Sequence, residues 1–180
     1  MIRSREELKQ CLDVERNIYY TNGNIHHILA KTKNYTIYKY IYYLRHEEYY
    51  KNVKKKLWGN ILYIWCKRRK NILGQSLGFD IPANCFDVGL NIKHVGGVII
   101  NEKAKIGKNC KISGNLCIGG TREGTPIVAD GCEFGYGVTV IGDVYIAKDC
   151  VIGAGAVVTK SFNKEKSIIV GVPAKRINLD

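Results

Sequence analysis

The chain has 180 residues, of which 46% are hydrophobic and 24% charged, enough for one compact domain with an appendage. Its formal net charge of +12 is unevenly spread: residues 1–80 hold 16 Lys and Arg against 7 Asp and Glu, residues 81–180 hold 12 against 9. Such a surplus favours anionic partners, but no nucleic-acid-binding motif is present and no nucleic-acid partner is expected. No apolar run reaches the roughly 18–20 residues of a bilayer span, and the N-terminal ten residues lack the apolar core of a signal peptide. A cytoplasmic location is the expectation.

Residues 4–20 predict a first helix, opened by Ser4 with Glu7 three positions on, a capping-box pattern. Leu8, Leu12, Glu15 and Tyr19 share one side, and the turn Thr21-Asn22-Gly23-Asn24 should end it. A second helix is expected from about Tyr35 to Lys56 on the apolar line Ile37, Ile41 and Leu44, with six tyrosines around it. A third is expected from about Lys54 to Gly74. There Leu57, Trp58, Ile61, Leu62, Ile64 and Trp65 lie between Lys54-Lys55-Lys56 and Lys67-Arg68-Arg69-Lys70. Basic flanks around Trp and Leu suit a membrane interface through 57–66, and equally a helix packed on protein with its charges in water.

From His94 the pattern changes to a period of six. Ile100, Ile106, Ile112 and Ile118 keep the step, four extra residues intervene, and Val128, Phe134, Val140, Ile146, Ile152 and Val158 resume it. Such a short repeat cannot bury its own apolar face and must stack on its neighbours as a solenoid. Two positions before each apolar residue stands a small or compact one, among them Ala104, Cys110, Cys132, Cys150 and Ala156, so both positions point inward. These cysteines read as buried free thiols; no Cys-x-x-Cys pair occurs and no metal site is expected. Gly107, Gly119, Gly135 and Gly153 follow the apolar residue, as at a tight corner or a close backbone approach. At about three hexads per coil the count predicts roughly four coils. Of the four histidines, 26, 27, 46 and 94, only His94 falls in the repeat, six before Ile100, where Ile or Val would fit.

Three separated segments carry a family likeness: His94-Val95-Gly96-Gly97-Val98-Ile99-Ile100, Asn115-Leu116-Cys117-Ile118-Gly119-Gly120-Thr121, and Gly171-Val172-Pro173-Ala174-Lys175-Arg176. Over roughly residues 78–177 the chain resembles the hexapeptide-repeat acyltransferases, and in these motifs the serine acetyltransferases and their capsular-polysaccharide relatives. The resemblance implies a mainly β fold, a left-handed parallel β-helix over 78–170 with an α-helical N-terminal region over 1–77 and a C-terminal tail over 171–180. It implies acetyl-CoA as donor, no metal, and a homotrimer with cofactor grooves shared between neighbours.

The same resemblance implies His94 as the base that takes the acceptor hydroxyl proton, oriented by an acid upstream. Asp80 is the candidate, with Asp87 remaining open because the Asp80 spacing is one residue short. Coenzyme A would be met by Gly119, Gly120, Thr121, Gly135, Tyr136, Gly153 and Ala154, with Lys160, Lys175 and Arg176 for its phosphates. The acceptor pocket departs from serine acetyltransferases. Lys93 stands where they carry an Asp, and Thr125, in Gly124-Thr125-Pro126, where they carry a histidine; Arg122 sits in the four-residue insertion, a lid, an acceptor loop or a subunit contact. The expected function is an acetyl-CoA-dependent O-acetyltransferase acting on a sugar hydroxyl of a surface polysaccharide. Serine O-acetylation is the alternative, and a non-catalytic assembly solenoid the alternative of another class.

Overall fold

The computed structural model describes residues 1–20, 30, 32–53 and 57–177. The turn expected at 21–24 and the lysines 54–56 lie outside them. The chain divides into two compact units, Met1–Phe79 and Asp80–Asp180.

Among the described residues the first unit holds three helices: α1 (Arg5–Tyr19), α2 (Lys33–Asn52) and α3 (Leu57–Leu77). The Ser4 hydroxyl accepts the Glu7 N–H at 3.1 Å, as the capping pattern requires, while the Glu7 carboxylate reaches back to the N–H of Arg3 rather than to that of Ser4. Thr32, not Tyr35, opens α2. Gly78, at φ +75, follows α3 in the left-handed conformation that glycine adopts without penalty after a helix C-terminus.

Ile37, Ile41 and Leu44 are fully buried, as their spacing predicts, and Tyr40 joins them. Glu15 is buried on α1 with Leu8, Cys11 and Tyr19; the Arg45 guanidinium meets its carboxylate at 2.6 Å and that of Glu48 at 2.8 Å. Lys70 of α3 is tied to Glu47 at 2.8 Å. Burial pushes the Cys11 thiol up to about 12 and the Cys66 thiol up to about 11, so both stay protonated at neutral pH. Trp58, Ile61, Ile64 and Trp65 of α3 are exposed. No helix among the described residues is long and apolar enough to cross a membrane.

The second unit is a solenoid of five coils, one more than the hexad count predicts. Strand β1 (Phe79–Asp80), a single bridge at Phe86 and β2 (Asn91–Ile92) make the first coil. The second is β3 (Val98–Ile100), β4 (Lys105–Ile106) and β5 (Lys111–Ile112); the third is β6 (Leu116–Gly119), β7 (Ile127–Val128) and β8 (Glu133–Phe134). The fourth is β9 (Thr139–Ile141), β10 (Tyr145–Ile146) and β11 (Val151–Ile152). The fifth is β12 (Val157–Val158), a bridge at Phe162 and β13 (Ile168–Val170). The segment expected as a tail contains β14 (Lys175–Ile177), which pairs antiparallel with β13 and closes that edge. Three parallel sheets result, ordered β1-β3-β6-β9-β12, β4-β7-β10 and β2-β5-β8-β11-β13, the last extended by β14. The extra coil escapes the count because the steps from Val158 to Phe162 and from Phe162 to Ile169 are four and seven residues and break the period of six.

The register records where the repeat breaks. Partners one coil apart differ by 18 positions in Ile127↔Tyr145 and Glu133↔Val151, by 22 in Lys105↔Ile127, and by 20 in Asn91↔Lys111. The four-residue insertion lies between β6 and β7, as expected. A second, of two residues, lies between β2 and β3, at the corner that carries His94.

Inside, Ile92, Ile112, Phe134, Ile152 and Ile169 stack in one column, and Cys110, Cys132 and Cys150 in another, all at most 1% exposed. The seven cysteines are free thiols; the Cys132 sulfur donates to the Ala147 carbonyl at 3.2 Å. Close approach explains the glycines after the apolar residue: a Cβ on Gly135 would lie 2.5 Å from the Ala154 nitrogen of the next coil. Left-handed backbone falls elsewhere on the corners, at Asn109, Asp149 and Lys166 among others. Lys166, at φ +54, is a residue type that conformation disfavours by roughly 1–2 kcal/mol. Lys166→Asn is expected to stabilise the protein by up to about 1 kcal/mol, read as a higher thermal midpoint.

Candidate functional site

The three edges of the solenoid differ in chemistry. The edge from the second sheet to the third carries Asp87, Lys108, Asp130, Lys148 and Asp149, and the edge from the first to the second carries Glu102, Lys103, Arg122, Glu123 and Asp143. The edge from the third sheet to the first is made of residues 93–97, 113–115, 135–137 and 153–155, and among these Lys93 is the one residue with a permanent charge. His94 lies on this edge. It does not fill an inward slot as its distance from Ile100 suggests: Ile92 is the buried residue there, His94 is exposed, and the two extra residues throw the imidazole out of the repeat.

Strand register places His94, Gly114, Tyr136 and Ala154 at the same corner position in successive coils. Gly114, at φ +136, is the gap in that column: a Cβ there would touch the Tyr136 ring at 3.1 Å and the His94 Cβ at 3.5 Å. Asn115, at φ +44, binds two coils together. Its Oδ1 accepts the Gly97 N–H at 2.7 Å and its Nδ2 donates to the Tyr136 phenol oxygen at 2.7 Å. Asn115 was not among the residues singled out from the sequence, although an Asn where the next two coils place Gly137 and Gly155 marks a left-handed position.

The other candidates fall as follows. Gly135, Tyr136, Gly153, Ala154 and Lys93 share the His94 edge. Asp80 is exposed on β1, the strand beside β3, into which the His94 corner leads. Asp87 lies on a different edge, where its Oδ1 accepts the Val88 N–H at 2.8 Å. Gly119, Gly120, Thr121, Arg122, Thr125 and Lys160 lie on the edge from the first sheet to the second, apart from His94 in one chain. The insertion there is braced: Thr121 N–H donates to the Gly124 carbonyl at 2.8 Å, and the Thr125 hydroxyl to the Lys103 carbonyl at 3.4 Å. Lys175 and Arg176 are exposed on β14 at the end of the third sheet. No cluster of three or more metal-ligating side chains occurs among the described residues.

No protein-family model matches the chain. It is 30% identical over 132 residues to serine acetyltransferase 2 of Arabidopsis thaliana, covering 71% of this chain and 41% of that protein. It is 32% identical over 137 residues to the serine acetyltransferase of Mycobacterium tuberculosis, covering 67% and 58%. The chain thus spans between about two fifths and three fifths of these relatives' lengths. Among solved structures it superposes on the soybean serine acetyltransferase apoenzyme with a TM-score of 0.74 at 22% identity, over 96% of this chain and 69% of that one. The Brucella abortus serine acetyltransferase in complex with coenzyme A gives 0.70 at 20% identity, over 96% and 68%. The chain is a hexapeptide-repeat left-handed β-helix protein with an N-terminal helical region, similar to serine acetyltransferases in sequence over about two thirds of its length and in fold over nearly all of it.

Proposed function

We propose that the protein is an acetyl-CoA-dependent O-acetyltransferase of the serine acetyltransferase type. The observation that carries this reading is His94 itself, an exposed imidazole lifted from an apolar repeat by a two-residue insertion, on an edge built, apart from Lys93, of glycine and uncharged side chains. A base must reach solvent-borne substrate, and the small residues Gly135, Gly153 and Ala154 leave room along this edge for the pantetheine arm of coenzyme A. His94 would take the hydroxyl proton as the oxygen attacks the thioester carbonyl, with Asp80 rather than Asp87 as its orienting acid, since Asp87 is on another edge.

Serine is the better-supported acceptor. The relatives reported above are serine acetyltransferases, and the Neisseria gonorrhoeae enzyme, at TM-score 0.71, was solved with serine bound. The surface-polysaccharide acceptor expected from Lys93 and Thr125 finds no support among them. The split of candidates between two edges favours a closed threefold ring, because a head-to-tail contact brings one edge of each copy against a different edge of its neighbour. Such a ring would place Arg122 and Thr125 of one copy near His94 of the next.

The test is release of free coenzyme A from acetyl-CoA by purified protein, with L-serine and with nucleotide sugars side by side. Turnover with L-serine is the expected result. Turnover with a sugar alone would replace the acceptor and keep the chemistry, and binding of coenzyme A without turnover on any acceptor would favour a non-catalytic solenoid.

A further inference from the structure

We infer that Tyr136 is a catalytic residue of this site, donating its phenol proton as a hydrogen bond to the oxyanion that forms on the thioester carbonyl, with Asn115 as the residue that positions it. The inference rests on the acetyl-transfer reading above. It assigns the Tyr136 side chain a chemical role beyond that of lining a cofactor groove.

Three features of the corner column lead there. First, His94 and Tyr136 hold the same corner position two coils apart, and the position between them is Gly114, where a Cβ would meet both side chains. The absent side chain lets the Tyr136 ring edge and the His94 Cβ close over Gly114 from either side, so that, at about 4.8 Å per coil, the imidazole and the phenol flank the outer face of that corner. A carbonyl group docking on that outer face has a base on one side and a hydroxyl on the other.

Second, the direction of the Asn115 amide fixes what the phenol can do. Its Oδ1 is occupied by the Gly97 N–H, so its NH₂ faces the phenol and Tyr136 accepts that bond. A phenol that accepts from a neighbour keeps its own proton for a third party. Tyr136 is 53% exposed, so that party comes from outside the solenoid.

Third, Asn115 ties Tyr136 to the loop bearing the base. Gly97 closes the enlarged corner that holds His94, and the Asn115 bridge runs from that corner through the next coil to the phenol of the third. The relative placement of His94 and Tyr136 is therefore held by two 2.7 Å hydrogen bonds rather than by packing, which suits a pair that must act on one group.

The step balances as follows. The acceptor hydroxyl gives its proton to His94 while its oxygen bonds to the thioester carbonyl carbon, and the carbonyl π pair moves onto oxygen. The Tyr136 O–H donates to that oxyanion. When the pair returns, the carbon–sulfur bond breaks and the coenzyme A thiolate takes the proton from the imidazolium, leaving an acetyl ester and a free thiol.

The experiment compares wild type, Tyr136→Phe and Asn115→Asp in steady-state coenzyme A release, using the acceptor on which wild type turns over, after melting curves show that both variants fold. Phe keeps the ring and removes the donor. Asp keeps an oxygen for the Gly97 N–H but offers a second one that takes the phenol proton. Both are expected to lower kcat by roughly 10²-fold or more with KM for acetyl-CoA changed by about twofold or less. Wild-type kcat in both variants, or a loss confined to KM, overturns the inference and leaves the acetyl-transfer reading standing. Absence of turnover by wild type on any acceptor removes that reading and this inference with it.

Discussion

Replacing His94 by Ala is expected to lower acetyl transfer by roughly 10²–10⁴-fold, the range for loss of a general base, and to leave the melting temperature where it was. The two halves of that expectation have separate causes. The imidazole is exposed on a corner, so its removal opens no internal cavity, and Ala keeps the Cβ that packs beside Gly114. A fall in kcat/KM with an unchanged melt would identify the imidazole with the chemistry. Full activity in the variant would end the assignment of His94 as base, and a lowered melt would show that the corner needs the ring for its shape. Because serine and a sugar present the same nucleophile, the loss should be the same with any acceptor that wild type accepts.

Replacing Arg45 by Met is expected to cost about 3–5 kcal/mol of stability, the largest effect of any single change in the helical unit. Glu15, Arg45 and Glu48 are each at most 1% exposed, and the guanidinium is the group that meets both carboxylates. Burial works against the charge on Arg45, but Glu48 and Glu15 outweigh it and hold its proton more tightly than usual, so the cation persists at every pH at which the protein folds. Without it two buried carboxylates lose the cation that meets them both. Denaturant melts should show the loss, and converting Glu15 and Glu48 to Leu in the Arg45→Met background should restore much of it, because an apolar replacement of the whole cluster removes the desolvation penalty as well as the pairing. A single Arg45→Met variant as stable as wild type would mean that water reaches the cluster.

How much of this was legible before folding differs between the units. The period of six announced a solenoid, and the inward columns of Ile, Val, Phe and Cys followed from it, because in a stacked coil the residues that face inward are set by the repeat alone. The four-residue insertion was visible as a break in that period. The two-residue insertion at His94 was not: the six-residue step from His94 to Ile100 matches the repeat by accident, and only the pairing of Asn91 with Lys111 shows that the coil there is 20 residues long. The same misreading put the imidazole inside. In the helices, the capping pattern at Ser4 and the apolar line of α2 were readable, whereas Glu15 sat unexplained on an apolar face until Arg45, 30 residues away, supplied its partner.

The sequence by itself determined the solenoid, its N-terminal helices and the buried thiols, and singled out His94 as the candidate base, since each depends on local pattern or on a motif of fixed spacing. The tertiary structure alone decided which candidates share an edge. Residues such as His94, Gly114 and Tyr136 stand 20 or more positions apart and become neighbours because each coil advances by one strand spacing, while Arg122 and Thr125, nearer to Tyr136 in the chain than His94 is, are turned to another edge by the two strands β7 and β8 that lie between. Sequence distance along a solenoid measures rotation around its axis. Proximity is set by the remainder after whole coils are removed, and insertions change that remainder.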